Sequence, residues 1–353
     1  MEQAYLHAID PFAIKFTEAF GIRWYGLAYL AGFVFGYWII QALCRRGRLL
    51  IAAEQIADFV FAVALGTIVG GRLGYCLFYS PDLFLRFRAE LPFWGVLAVN
   101  EGGMASHGGI IGIIIACYLF ARKRGIPSAH LCDLTTLGGT VGVFFGRIAN
   151  FINGELIGRP TAEGVRWAVK FPQDLFLWPS QEPSRLLQLK DVVSQLGVSA
   201  EQWGAMLSGL GRDNSATNAV EGVLLRIINE VQSGNQSIAT ALGPLLQSRY
   251  PSQIYEALLE GLLMFMLLNL IWLKPRKPGV ITGAFLSMYS VVRFIGEQYR
   301  MPDAQIGYEI FGLTRGQILS VFVFCFGIAV LIMSSRLDRK AIGGWFNDKS
   351  KNS

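Results

Sequence analysis

The chain of 353 residues is 53% hydrophobic and only 16% charged, with a mean hydropathy of +0.42. That balance excludes an ordinary soluble domain and points to a protein that crosses a membrane several times. The formal net charge of +6 is not a nucleic-acid footprint, because the basic residues are grouped between apolar runs as a topology signal.

The opening stretch, MEQAYLHAIDPFAIKF, lacks a cationic leader region and is broken by acids and Pro11, so it does not read as a signal peptide. Residues 1–23 read as an interfacial helix, with Tyr5, Leu6, Phe12, Ile14, Phe16 and Phe20 set against Asp10, Lys15 and Glu18. His7 reads there as a surface polar group. Runs long enough to span follow at Trp24–Leu43, Ile56–Phe78, Met104–Phe120, Leu131–Ile152, Gln253–Trp272, Val280–Gln298 and Gln317–Met333. Arg45, Arg46, Arg48, Arg122, Lys123, Arg124, Lys274, Arg276, Lys277, Arg336, Arg339, Lys340, Lys349 and Lys351 fall on one side of these runs. Only Lys15, Arg23, Arg86, Arg88, Arg300 and Arg315 occupy the short connections opposite. The positive-inside rule then puts the N-terminus outside and the C-terminus in the cytoplasm.

Trp24 and Tyr25 stand where an interfacial aromatic belt forms. The second run carries Asp58 and GGRLGY (Gly70–Tyr75). Asp58 and Arg72 are about 21 Å apart along a helix, so Arg72 needs another partner or a lipid phosphate. Residues 79–103 read as an outer arm in the headgroup layer. His107 opens the third run between Gly102, Gly103, Gly108 and Gly109, which admit close approach by a ligand. It is either a helix-start polar group or a base. His130, at the other end of the membrane, reads as structural.

The stretch Gly146–Pro160, GRIANFINGELIGRP, passes from an apolar run into polar sequence and gathers Arg147, Asn150, Asn153, Glu155 and Arg159. Arg147 and Asn150 share a helical face, and the Asn-Gly-Glu after them signals a turn. An unpaired guanidinium at the depth of Arg147 costs several kcal/mol. Residues 154–250 form the one sizeable segment outside the membrane. VRWAVKF (Val165–Phe171) alternates as a half-buried strand. Beyond Pro183 the pattern turns helical, with a stripe of Leu186, Leu189, Val193 and Leu196. Ser199 with Gln202 forms a capping box, and Asn218 with Glu221 opens a further helix. Glu256 and Glu260, four apart after PSQIY, share a face, and Tyr289, Arg293 and Glu297 line a second stripe. The five cysteines lie in or beside apolar runs, so neither a disulfide framework nor a metal site is expected.

On residues alone, a seven-span protein with a polar, arginine-lined cavity open to the outer leaflet fits an enzyme, a secondary transporter or a receptor. A transporter should show inverted repeats with polar groups near the midplane, and none is visible.

The Gly146–Pro160 stretch, with Tyr25, GGRLGY, His107-Gly-Gly, PSQIYE and the Tyr289/Arg293/Glu297 stripe, resembles the prolipoprotein diacylglyceryl transferases of bacteria. Where an aromatic residue is expected before the His-Gly-Gly, this chain has Ser106. The resemblance implies transfer of the diacylglyceryl group of phosphatidylglycerol to the thiol of the lipobox cysteine in a prolipoprotein signal peptide. A thioether forms and glycerol phosphate leaves, which is the first step of bacterial lipoprotein maturation. It also implies a place in the inner (plasma) membrane, a site facing the periplasmic or outer leaflet, and no cofactor or metal. His107, Arg147, Arg293, Tyr25 and Asn150 are the catalytic residues so implied. Arg147, Asn150, Glu155, Gly158, Tyr289, Arg293, Glu297 and Arg72 are the substrate-binding ones.

The expected fold is thus an all-α polytopic membrane protein of seven transmembrane helices with a small mixed α/β extracytoplasmic head domain. Residues 1–153 would hold the interfacial helix, four spans and the arm 79–103. Residues 154–250 would form the head, including a helical insertion at 184–247 that the motifs leave uncovered. Residues 251–353 would supply three spans and a cytoplasmic tail.

Overall fold

The computed structural model describes residues 4–16, 21–99, 102–162, 165–302 and 307–346. Each of the seven apolar runs lies wholly or mostly in a helix: α1 Trp24–Cys44, α2 Ile56–Phe78, α3 Ser106–Arg124, α4 Ser128–Asn153, α8 Ser252–Ile271, α9 Val280–Gly296 and α10 Arg315–Arg336. Among the described residues, four stretches are long and apolar enough to cross a membrane: Trp24–Cys44, Ala53–Phe78, Ser252–Ile271 and Arg315–Arg336. The molecule is mostly helical, and these helices fit a polytopic membrane protein.

The chain divides into two compact units. The first comprises Met1–Tyr29, Phe144–Gly261 and Val291–Val321; the second comprises Leu30–Val143, Leu262–Ser290 and Phe322–Ser353.

In the second unit, Leu43, Ile56, Phe59, Leu131, Leu134, Leu268 and Ile281 belong to one buried apolar core. Glycines bring α2 and α3 together: a Cβ added to Gly70 would lie 2.8 Å from the Cα of Gly112, so a larger residue would push the helices apart. The start of α9 is capped from α4. Asp133 accepts from the amides of Gly279 at 2.7 Å and Thr282 at 2.8 Å, satisfying donors a helix start leaves open.

In the first unit, the expected interfacial helix at 1–23 is not found. The described residues form strands β1 Tyr5–Leu6, β2 Phe12–Lys15 and β3 Gly21–Arg23. Strands β2 and β3 pair antiparallel, and β1 runs parallel to β4, Val169–Lys170. Asp10 accepts from the Phe12 amide at 2.9 Å, and Pro11 has no N–H, so a turn replaces a helical start. Glu18 and Phe20, counted toward that helix, lie outside the described residues, as do Lys349 and Lys351 in the tail. The strand expected over 165–171 shrinks to β4, with a turn before it.

His7 is fully buried and not a surface group. Its ring lies 5.2 Å from both Phe151 and Phe171, with neither nitrogen hydrogen-bonded. Burial pushes its pKa down to about 4, because an imidazolium there would lose its hydration.

The helical part after Pro183 includes α5 Ala200–Gly209, α6 Asn214–Gln232 and α7 Gln236–Leu242. Its core joins Leu186, Leu189, Val193, Trp203, Leu224 and Ile227. The Ser199–Gln202 capping box is present. Helix α6 begins at Asn214, not Asn218, because Asp213 caps it by accepting from the Ser215 amide at 2.9 Å.

Candidate active site

Helix α4 delivers two polar side chains and then stops. Gly154, at φ 68°, takes the left-handed conformation, and the amide of Glu155 bonds back to the carbonyl of Asn150 at 2.9 Å. This is the closing pattern that a glycine just past a helix end permits. It turns Glu155 back toward the helix. The side-chain amide of Asn150 then donates to the Tyr25 hydroxyl at 2.9 Å and to Glu155 Oε2 at 3.3 Å, and Asn153 donates to Glu155 Oε1 at 3.2 Å. Tyr25, Asn150 and Glu155 thus form one hydrogen-bonded group.

One turn earlier on α4, Arg147 reaches carboxylates that the sequence motifs did not assign to the site. Its Nη1 stands 3.0 Å from Glu256 Oε2, and its Nε and Nη2 donate to Glu260 Oε2 at 3.1 and 2.9 Å. From α9, Arg293 Nη1 donates to the remaining oxygens, Glu256 Oε1 at 2.7 Å and Glu260 Oε1 at 3.2 Å. Its Nη2 donates to Glu297. Both shared glutamates are completely buried, whereas the arginines keep 16% and 14% of their side chains accessible. Buried carboxylates therefore hold two guanidinium groups whose outer faces are still reachable.

The local cause is in α8. Over Ala257–Leu263 the helix widens into a π segment with Glu256 just before it and Glu260 inside it. Side chains four apart share a face in an α turn and in a wider one, so what the extra residue changes is the rotation of Glu256 and the helix before it relative to the rest of α8. Such segments are uncommon and recur at functional sites. Two acids at this spacing in an apolar helix are the signal that could have named them.

Glu297 is held from a third side. Thr314 Oγ1 donates to it at 3.1 Å, while the same oxygen accepts from the Gln317 amide at 3.2 Å and Gln317 Oε1 accepts from the Thr314 amide at 3.0 Å. This reciprocal cap begins α10 and fixes the hydroxyl that anchors the carboxylate. Arg300 Nη1 lies 3.8 Å from Glu297 and 4.0 Å from Glu256. Among the described residues, the cluster brings the guanidinium groups of Arg147, Arg293 and Arg300 to the carboxylates of Glu256, Glu260 and Glu297.

Gly158 and Arg159 have backbone roles. A Cβ at Gly158 would overlap the carbonyl of Tyr250, and Arg159 donates to the carbonyls of Arg300 at 3.0 Å and Glu297 at 3.3 Å. Gly158, expected to bind substrate, is required by a close backbone approach.

The remaining expected residues belong to the second unit. Arg72 is 5% exposed and donates to the carbonyls of Val96 at 2.8 Å, Gly95 at 2.7 Å, Gly103 at 3.0 Å and Gly102. These bonds tie Gly95, Val96, Gly102 and Gly103 of the arm to α2 and are the partners other than Asp58 that Arg72 needs. His107 is exposed in the first turn of α3. Tyr289 stands one turn before Arg293 on α9, its ring stacked on Phe285 at 5.2 Å.

Residues 11–333 match the family model described as prolipoprotein diacylglyceryl transferase. The chain belongs to this family. It is 51% identical to the phosphatidylglycerol–prolipoprotein diacylglyceryl transferase of Bdellovibrio bacteriovorus over 340 residues, covering 96% of this chain and 97% of the relative. It is 37% identical to the enzyme of that name from Rhodospirillum rubrum over 342 residues, 96% of each chain. The Nitrobacter winogradskyi enzyme is 34% identical over 91% of this chain and 87% of its own length. The matched residues of the family model run through 184–247, the stretch the motifs left uncovered.

Proposed function

We propose that this chain transfers the diacylglyceryl group of phosphatidylglycerol to the lipobox cysteine of a prolipoprotein. The reaction takes place at the outer leaflet of the bacterial inner membrane and opens lipoprotein maturation. The observation that carries the reading is the pair Arg147 and Arg293 on the same two buried carboxylates, in a chain of this family.

The chemistry explains why. The carbon–oxygen bond between diacylglycerol and phosphate breaks with its electron pair on the phosphate oxygen, a carbon–sulfur bond forms, and the thiol proton passes to a base. Guanidinium forks match phosphate oxygens and stay charged, so two of them can grip the headgroup and take up the leaving group's charge. Glu256 and Glu260 keep both forks at fixed orientation, so little reorganisation accompanies the reaction. Because Arg147 and Arg293 already donate to these carboxylates, an arriving phosphate takes over N–H donors that the carboxylates hold. Phosphate binding is therefore a partner exchange. Tyr25, Asn150 and Glu155 form the polar group beside Arg147 on α4 that positions the glycerol. His107 takes the thiol proton, an assignment that rests on the family resemblance and on its exposed imidazole.

The test uses the purified protein in phosphatidylglycerol vesicles with a lipobox peptide. The peptide should gain the mass of one diacylglyceryl group, and a peptide with Ser in place of the lipobox Cys should gain none. Unchanged peptide mass from correctly inserted protein would refute the reading.

A further inference from the structure

The second unit carries a groove of about 710 Å³ between α2 and α3. Its floor is the glycine contact of the two helices, and its walls are exposed apolar side chains, Leu73 and Leu77 facing Ile111 and Ile115. Along α2 it runs from Ala62 to Phe78, about 24 Å at the rise of an α-helix. Half of a bilayer's hydrocarbon core is about 15 Å. The groove is long enough for a whole acyl chain.

One end of the groove is basic. Lys123 and Arg124 line it, and the next residues, Gly125, Ile126 and Pro127, line a second opening of about 510 Å³ that also contains Arg339 and Lys340. The apolar groove and the basic opening thus meet at consecutive residues of the α3 end. Arg124 lies 3.9 Å from Asp58 and its guanidinium stacks on Phe120, so part of its charge is answered. Asp338 precedes Arg339. Among the described residues, no carboxylate pairs with Lys123, Arg339 or Lys340, and the rim remains net positive.

We infer that this surface holds one intact anionic phospholipid, with an acyl chain along the α2–α3 groove and its phosphate at Lys123, Arg339 and Lys340. An apolar channel ending in clustered Lys and Arg is complementary to that amphiphile, and favours it over a zwitterionic one whose headgroup cation faces the same rim. The charge of the headgroup, not the glycerol of the enzyme's substrate, is what the rim recognises. The lipid here is bound and unreacted.

Native mass spectrometry of the full-length protein tests this with phosphatidic acid and phosphatidylcholine of identical chains. The wild type should retain one phosphatidic acid at a lipid concentration at least fivefold lower than it needs for phosphatidylcholine. The combined variant Lys123→Gln, Arg339→Gln, Lys340→Gln should erase that preference. Ile115→Trp, which fills the groove and leaves the rim intact, should weaken retention of both lipids. Equal retention of the two lipids by the wild type would overturn the inference, as would full retention by Ile115→Trp. So would a preference that survives the rim variant but disappears in Arg293→Lys, because the phosphatidic acid would then be held by the arginine cluster.

Discussion

Glu260 bonds to Arg147 with one oxygen and to Arg293 with the other, without any exposure of its own. Glu260→Gln would leave both guanidinium groups short of a charged partner in a buried place, where losing one member of an ion pair costs about 3–5 kcal/mol. Glu297→Gln removes only one of the three carboxylates around Arg293. Transfer should therefore fall at least tenfold more in Glu260→Gln than in Glu297→Gln, when variants that insert normally are compared in the peptide assay. Equal losses would mean that Glu297 matters to the arginines as much as Glu260 does. At His7 the expectation concerns stability. Its folded pKa of about 4 is below the ordinary value of 6.5, so between these values the unfolded chain binds a proton that the folded chain refuses. Stability is then full above about pH 6.5 and falls toward pH 4, by roughly 3 kcal/mol for a shift of this size. His7→Phe should flatten that part of the pH–melting curve. An unchanged slope would show that the imidazole is not the titrating group.

At the level of elements, the π segment of α8 does work that an ordinary helix does not. Deleting one residue within Ala257–Leu263 would restore α-helical pitch and rotate Glu256 by about 100° relative to the rest of α8. Transfer should be lost while the helix still inserts; retained activity would show that the wide turn is incidental. The apolar runs were legible in sequence because a stretch of that length and composition has one regular solution, a helix. The N-terminal stretch was not. Tyr5–Lys15 is short and mixed, its apolar residues suit either period, and its pairing with Val169–Lys170 comes from more than 150 positions away. The capping box at Ser199 was readable because its partners are three residues apart, whereas the cap of α9 by Asp133 is a tertiary contact. In the candidate site, the Gly146–Pro160 stretch named Arg147, Asn150 and Glu155, and the Tyr289/Arg293/Glu297 stripe named Arg293 and Glu297. Glu256 and Glu260 were visible as a pair, but their partners depend on how α4, α8 and α9 bring side chains together.

Across the whole molecule, the proposed orientation rests on the distribution of the basic residues. Reporters fused after Arg124 and Lys277 should signal cytoplasm, and one fused near Ser215 should signal the outside. A cytoplasmic signal near Ser215 would put the arginine cluster on the wrong leaflet for a secreted precursor. The central claim, however, is that the guanidinium forks of this cluster handle the lipid phosphate. The measurement closest to it is the transfer rate of Arg293→Lys at saturating and limiting phosphatidylglycerol. Lysine preserves the charge but not the paired donors that span Glu256, Glu260, Glu297 and a phosphate. The rate should drop at least a hundredfold in normally inserted protein, at both lipid concentrations. A rate within twofold of wild type would contradict the claim and reduce the cluster to a packing device.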